Sequence, residues 1–315
     1  MLKKIIIFFI KMAVAAVGMV FLYSAYTKLD PVIETFEMSF IKLGVANWTT
    51  APWIARLMIG IEIFIGLLLV LNYHLRITLK AGIVLLMVFN TYLLYQIVGG
   101  SGSENCGCFG EVIHMTPAQA LGKNAVMILA LLPGLLLRLE GWKLRKYAWV
   151  LWLTLGSVAL FLPHALNPVF YDERAIMDDE SVGMKLPLEM LYEQRDKEKV
   201  DSVTVDFRKG KHVVAFLSLT CPHCRIAAKK MKLMKEINPS LPFYFILNGD
   251  RNELSEFMND TKCHEIPYSF VLGQTFVKLA GVVLPRIYLI QDGILIMKKN
   301  HVTLQQNEIE DFLKK

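Results

Sequence analysis

Hydrophobic positions fall into two regimes along the chain. In the first half the apolar runs are long. Residues 5–26 are interrupted only by Lys11, and residues 57–75 only by Glu62 and their last few positions. Residues 81–98 carry no charge, residues 117–137 carry one at Lys123, and residues 147–164 none. A membrane-crossing helix needs about 20 mostly apolar residues, so five spans are expected. Gly122, Pro133 and Gly134 interrupt the fourth. The first follows Lys3 and Lys4 like a secretory signal. Its apolar run is longer than a signal core, and Tyr26-Thr27-Lys28 is a poor cleavage exit, so an uncleaved span is expected.

In the second half the runs shorten. Residues 167–182 are polar, with Asp172, Glu173, Asp178, Asp179 and Glu180, and read as a linker. Residues 202–207 alternate as a short strand, and Arg208-Lys209-Gly210-Lys211 makes a turn. Residues 213–217 have the length of a buried strand. Ile226, Met231, Met234 and Ile237 recur at helical spacing over 225–237. A strand at 243–247, a helix at 253–258 and an irregular stretch up to Gly281 come next. Strands at 286–290 and 294–297 flank Asp292-Gly293, a hairpin signal, and a helix is expected at 306–313. The fold class expected is a membrane all-α bundle followed by an α/β domain. The membrane part is placed at 1–165, the linker at 166–182 and the α/β domain at 183–315.

Composition agrees with that division. The hydrophobic fraction of the 315 residues is 54%, above the ~45–50% of soluble proteins. The net charge is +6, and all of it lies in residues 1–165, where 13 Lys and Arg face 7 Asp and Glu. The second half balances, with 21 of each, so no basic surface there recruits nucleic acid. The basic residues set orientation instead. Lys3, Lys4, Arg76, Lys80, Arg138, Lys143, Arg145 and Lys146 lie at one set of span ends. Lys28, Lys42, Arg56 and Lys123 are counted at the other. The first set is expected in the cytoplasm, with the N-terminus. Five spans then place the α/β domain outside, together with the loop that carries Cys106 and Cys108.

Five cysteines are too few for a disulfide scaffold, but four are paired as Cys106-Gly107-Cys108 and Cys221-Pro222-His223-Cys224. Both pairs fall in one non-cytoplasmic compartment, where disulfides persist. Cys-x-x-Cys between a strand and a helix is a redox signal. A cysteine at a helix N-terminus meets unpaired N–H groups and the positive end of the helix dipole, which lower its pKa. Cys221 is the expected nucleophile and Cys224 the buried resolving thiol. A protonated His223 stabilises the thiolate further and makes the disulfide more oxidising. A structural disulfide and half a zinc site are the competing readings. His212, Cys263 and His264 are further ligand candidates, though their spacing matches no zinc pattern. In the other pair, Gly107 supplies the backbone freedom a small ring needs. Cys263 reads as packing, with a regulatory thiol as the alternative. Glu62 is an acid inside a span, either functional or held protonated or hydrogen-bonded between helices. Gly60 and Gly66 beside it suggest close helix packing.

Residues 213–224 resemble the active-site strand and helix start of the thioredoxin superfamily, with the Cys-Pro-His-Cys tetrapeptide of DsbA-type oxidants. Arg208–Lys211 and the strand before them look more like the membrane-anchored TlpA branch. Leu284-Pro285-Arg286-Ile287-Tyr288-Leu289-Ile290-Gln291-Asp292-Gly293 is similar to the family's cis-proline segment and hairpin. The resemblance covers 181–315. It implies a cis Pro285 in the catalytic site, with Leu284 and Pro222 contacting a bound substrate strand. Many relatives carry a buried acid six residues before the first cysteine, where this chain has Ala215. Gly18-Met19-Val20-Phe21-Leu22-Tyr23-Ser24-Ala25-Tyr26-Thr27-Lys28-Leu29-Asp30-Pro31 resembles the first span of DoxX-type proteins, and Glu62 and Gly66 fit their second. Asn105-Cys106-Gly107-Cys108-Phe109-Gly110 is similar to an element of the MauE branch. That resemblance covers about 10–140 and implies a redox-associated membrane domain of four spans, the fifth leading to the fused domain.

The function expected is a membrane thiol-disulfide oxidoreductase of a bacterial inner membrane with its thioredoxin-like domain in the periplasm. Electrons pass from exported cysteine-containing proteins to Cys221–Cys224, then to Cys106–Cys108, and onward, with quinone as a candidate acceptor. Glu62 and His114 are the candidates for contact with such a cofactor, and His114 and Glu111 lie near enough to the pair to move protons. Reverse flow, supplying reductant to exported proteins, is equally legal chemically. A copper-handling protein is the alternative of another class, since Cys-x-Cys thiolates suit Cu(I) and Met115 is near. No resident metal is assigned. The partners expected are the lipid bilayer and cysteine-containing proteins.

Overall fold

The computed structural model describes residues 1–30, 33–99, 105–110, 112–141, 148–169, 182–192 and 203–314. Ser202, the linker acids between 172 and 180, and Glu111, Lys143, Arg145 and Lys146 lie outside them. The chain divides into two compact units, Met1–Val169 and Phe170–Lys315.

The first unit is helical: α1 (Leu2–Leu29), α2 (Glu34–Lys42), α3 (Ala51–Val70), α4 (Leu75–Val98), α5 (Pro117–Leu136) and α6 (Ala148–Leu166). All except α2 are long and apolar enough to cross a membrane. The interruptions expected in the fourth span do not break α5. Thr116 caps it with a full capping box to Gln119, and Pro133 falls within its last turn, so the one N–H bond it removes lies near the helix end and the rest of the ladder is kept. Helix α3 is the most buried of the five and packs on α1, α2, α4 and α6. Its contact with α1 is backbone to backbone: a Cβ on Gly18 would lie 2.7 Å from the Gly66 carbonyl oxygen. Helix α2 was not foreseen. It is only nine residues long, and it turns Phe36 and Ile41 inward.

The second unit opens with the one-turn helix α7 (Glu189–Tyr192) and builds a five-stranded sheet from β1 (Lys211–Ser218), β2 (Phe243–Asn248), β3 (Tyr268–Phe270), β4 (Arg286–Gln291) and β5 (Ile294–Lys299). The strand order is β3-β2-β1-β4-β5. Strands β1, β2 and β3 are parallel, and β4 and β5 run antiparallel to them. Helices α8 (Pro222–Ile237), α9 (Leu254–Thr261), α10 (Gln274–Ala280) and α11 (Gln306–Lys314) complete the unit. Alternate side chains of the pleat take opposite faces. Val214 and Phe216 join Tyr244, Ile246, Tyr288 and Ile290 in one core with Phe207 and Phe276. Asp292 and Gly293 both have positive φ, 50° and 79°, as a two-residue hairpin turn requires.

Two expectations are corrected. The described part of the 202–207 segment is not a strand. Its backbone is held by tyrosines instead: the Tyr192 hydroxyl donates to the Val205 carbonyl at 2.9 Å and accepts from the Phe207 N–H at 2.8 Å. The stretch before Gly281 holds β3 and α10. Strand β3 has only three residues, too few to show a period.

Candidate functional site

Strand β1 ends at Ser218, and the chain turns through Leu219 and Thr220 into α8, with Cys221 at the N-cap and Pro222 in the first turn. Proline is pre-organised for that position and lacks the N–H that would go unpaired there. Cys221 is half-buried and Cys224 fully buried. The Cys221 sulfur accepts from the Cys224 N–H at 3.4 Å, and the Cys224 sulfur accepts from the Ser218 N–H at 3.4 Å. Both are thiols in this structure. The Cys221 thiol is pulled down to about 6, first by the hydrogen bond from the Cys224 thiol, then by the Cys224 N–H and the His223 side chain. The Cys224 thiol is pushed up by donating that bond and by burial. Within this unit, then, the exposed thiol is the acidic one and the hidden thiol keeps its proton.

The Leu284–Pro285 peptide is cis. Pro285 is buried at the start of β4, and Leu284 packs against the core beside it. Strand β4 pairs with β1, with Arg286 opposite Phe216. His223 is exposed and stacks on His301, ring centroids 4.5 Å apart and planes at 24°. The His301 Nδ1 atom is buried without a hydrogen bond among the described residues, and burial first, then the nearby His223 and Lys230 charges, hold its pKa down at about 4. Sequence reasoning missed His301. It lies 78 residues beyond His223, and no motif links the two. Ala215 is fully buried on β1, so that position supplies no proton acceptor for Cys224. Cys263 is fully buried, its sulfur hydrogen-bonded to the Ala228 and Thr261 carbonyls at 3.4 Å, and burial pushes its thiol up to about 12.

In the helical unit the loop before α5 presents Cys106 and Cys108. Asn105 organises it: its side chain donates to the Gly110 carbonyl at 3.0 Å and accepts from the Gly107 N–H at 3.3 Å and the Met115 N–H at 3.4 Å. Gly107 between the cysteines has φ +70°, a conformation costly for other residues. Cys106 is almost fully buried against Leu93 and Ala120, and Cys108 is partly exposed. The Cys108 N–H donates to the Cys106 sulfur at 3.3 Å. The hydrogen bond from the Cys108 thiol, followed by that N–H and by the Lys123 and Lys28 ammonium groups, brings the Cys106 thiol down to about 7. Donating that bond, and burial, push the Cys108 thiol up.

Beside this pair is a cavity lined by Ser24, Lys28, Glu62, Cys106, Cys108 and Lys123 among others, with room for about two water molecules. Lys28 and Glu62 form a buried ion pair at 2.5 Å. The Lys28 ammonium also donates to Ser24 Oγ at 3.0 Å and lies 5.0 Å from the centroids of both the Phe36 and Phe89 rings. Ser24 donates to the Cys108 carbonyl at 2.9 Å. The sequence pattern places Lys28, Arg56 and Lys123 among the outer loop charges. They lie instead in α1, α3 and α5: Lys28 pairs with Glu62, Arg56 with Glu37 at 2.6 Å, and Lys123 sits over Phe109. Glu62 therefore belongs to the site, whereas His114 is exposed and does not line the cavity. Lys28 and Lys123 went unread as partners of Glu62. Three charges in or bordering three spans were the signal that could have found them. Among the described residues no cluster of three or more His, Cys, Asp or Glu could hold a metal.

A sheet of this order, with a cis-proline leading into the strand paired with β1 and a Cys-x-x-Cys at the start of the helix that follows β1, is a thioredoxin-like fold. Joined to five membrane-spanning helices, it defines a membrane protein of the thiol-disulfide oxidoreductase class. Residues 4–137 match the family model of methylamine utilisation protein MauE, so the N-terminal part is a MauE-type domain. The chain is 29% identical to "Protein TlpB" of Flavobacterium psychrophilum over 301 residues, covering 81% of this chain and 80% of that one. Two solved structures are similar over its thioredoxin-like part. One is a secreted Mycobacterium tuberculosis disulfide oxidoreductase homologous to E. coli DsbE, at 17% identity and TM-score 0.27, covering 33% of this chain and 81% of the other. The other is the thioredoxin domain of a Bacteroides vulgatus thiol-disulfide oxidoreductase, at 19% identity and TM-score 0.28, covering 34% and 82%.

Proposed function

We propose that this protein forms disulfides in exported proteins and carries the electrons into the membrane. A substrate thiolate attacks the Cys221–Cys224 disulfide. The mixed disulfide resolves, leaving an oxidised substrate and two thiols on the protein. The reduced pair then reduces a Cys106–Cys108 disulfide by the same exchange, so two electrons and two protons move and one S–S bond replaces another. The low pKa of Cys221 stabilises the reduced form and so makes its disulfide the stronger oxidant. The observation that carries this reading is the recurrence of one construction: in each pair the N–H of the second cysteine donates to the sulfur of the first, Cys224 to Cys221 and Cys108 to Cys106.

The domain limits proposed are 1–165, 166–182 and 183–315. The membrane is a bacterial inner membrane, with the N-terminus in the cytoplasm and the thioredoxin-like domain in the periplasm. Lys28 and Lys42 lie in the last turns of α1 and α2, whereas Arg56 and Lys123 lie inside α3 and α5; with two fewer loop charges in the outer set, the basic asymmetry favours this orientation. Quinone is the acceptor class proposed for the membrane domain. A quinone ring does not fit the two-water cavity as it stands, so no step is routed through it. Reverse flow has the same geometry and opposite redox states.

The test is thiol trapping in native membranes. In Cys106→Ser or Cys108→Ser protein, Cys221 and Cys224 are expected to accumulate reduced, while the parent holds them mostly oxidised. Full oxidation in the variants overturns the relay. A reduced pair in the parent reverses the direction.

A further inference from the structure

We infer that Glu62 is the proton acceptor and donor for Cys108, with Lys28 as the residue that positions it. The inference rests on the reading that Cys106 and Cys108 cycle between dithiol and disulfide. The thioredoxin-like unit has alanine at the position of the expected acid, whereas the membrane unit has a buried carboxylate beside its own pair. Glu62 is 1% exposed, and its Oε1 is taken by the Lys28 ammonium. Its Oε2 is buried and has no hydrogen-bond partner among the described residues. A buried carboxylate oxygen without a donor is costly, and such a group needs a reason to persist. The cavity that Glu62 shares with Cys108 supplies one, since it accommodates about two waters and a water chain can carry a proton between them.

The charges are arranged for that task. Lys28 on α1 is ion-paired with the carboxylate and fixes its position, and Lys123 on α5, Tyr92 on α4 and the two thiols of the loop complete the ionisable groups around the cavity. When the pair closes, the Cys106 thiolate has been captured by an oxidant. The Cys108 S–H proton passes through water to Glu62 Oε2. The Cys108 thiolate then attacks the Cys106 sulfur, and the captured group leaves with the electron pair of its bond. When the pair opens, Cys108 takes the proton back. The Lys28–Glu62 pair changes by one proton, and Ser24, bonded to both Lys28 and the Cys108 carbonyl, keeps the loop in register with it.

The experiment uses the full chain in detergent with Cys221→Ser and Cys224→Ser, so that only the membrane pair reports. Methyl methanethiosulfonate converts Cys106–S⁻ to Cys106–S–SCH₃ with loss of methanesulfinate, and closure by Cys108 expels methanethiolate. Acid-quenched peptides are weighed to separate capture from closure. Glu62→Gln is expected to slow closure at pH 7 by about a hundredfold, the low end for a lost general base, and to leave capture within about twofold. Closure should depend on pH more steeply in the variant than in the parent, because only hydroxide or bulk water is left to take the Cys108 proton. Glu62→Asp should recover part of the rate. Removing one member of a buried ion pair endangers folding, whereas replacing both with neutral groups is tolerated. The Lys28→Met/Glu62→Gln double variant therefore guards the test and should close as slowly as Glu62→Gln. Closure at the parent rate and pH profile in both variants overturns the inference alone. Failure of the parent itself to close overturns the cycling on which it rests.

Discussion

At pH 5 an ordinary cysteine is almost inert to alkylation, and Cys221 is expected not to be. Its thiol is held at about 6 against an ordinary 9.0. By simple titration it is then ~9% thiolate at pH 5, against ~0.01% for the unperturbed group, a ~900-fold excess. A more acidic thiolate is a weaker nucleophile, and a Brønsted slope of ~0.45 over three units removes ~20-fold. Cys221 should therefore react with iodoacetamide ~40-fold faster than an ordinary thiol at pH 5 and only ~4-fold faster at pH 7. The assay is quantitative mass spectrometry of the Cys221 peptide from reduced full-length protein, sampled between pH 4 and 9. Cys224→Ala removes the largest cause of the shift and His223→Ala a smaller one, so the first should slow the pH 5 reaction more. Because the folded value lies below the unfolded one, the thiolate adds stability to the reduced fold. That stability is complete above the unfolded pKa and is lost as pH falls through about 6. A wild-type midpoint near 9, or a larger effect of His223→Ala than of Cys224→Ala, refutes the reasoning.

Gly18→Val should lower the thermal stability of the helical unit in detergent, by about 1–3 kcal/mol if the helices can shift, because the new Cβ meets the Gly66 carbonyl and the Val70 N–H. Gly122→Ala, with nothing within 4 Å among the described residues, is the control. Phe216→Ala should destabilise the thioredoxin-like unit by ~3–5 kcal/mol in denaturant melts, since the ring is fully buried between Phe276 and Tyr288. Cys263, held at about 12 by burial, should resist iodoacetamide at pH 8 in folded protein and react only on denaturation. Labelling at the Cys221 rate would show that it is accessible.

Whatever depends on near neighbours in the chain was legible from the residues. Five apolar runs specify five spans because the bilayer core sets their length and lipid leaves the backbone no other partner. Cys221-Pro222-His223-Cys224 specifies a redox pair because a helix start acts on thiols within one turn. The segment with Pro285 and the hairpin turn at Asp292-Gly293 were equally local. What pairs across long separations was not legible. The 202–207 segment has a strand's alternation, but its backbone is held by tyrosine hydroxyls, from Tyr192 before it and Tyr244 on β2. Lys28 and Glu62 are 34 residues apart on helices that meet only because Gly18 and Gly66 let their backbones touch. Read singly, Lys28 was a topogenic loop charge, and in the fold it is the counter-ion of a buried acid. Composition and period could say that the membrane half contains an acid and several bases. Which of them face one cavity with Cys106 and Cys108 was decided by helix packing, because burial makes charges choose partners that lie nearest in space.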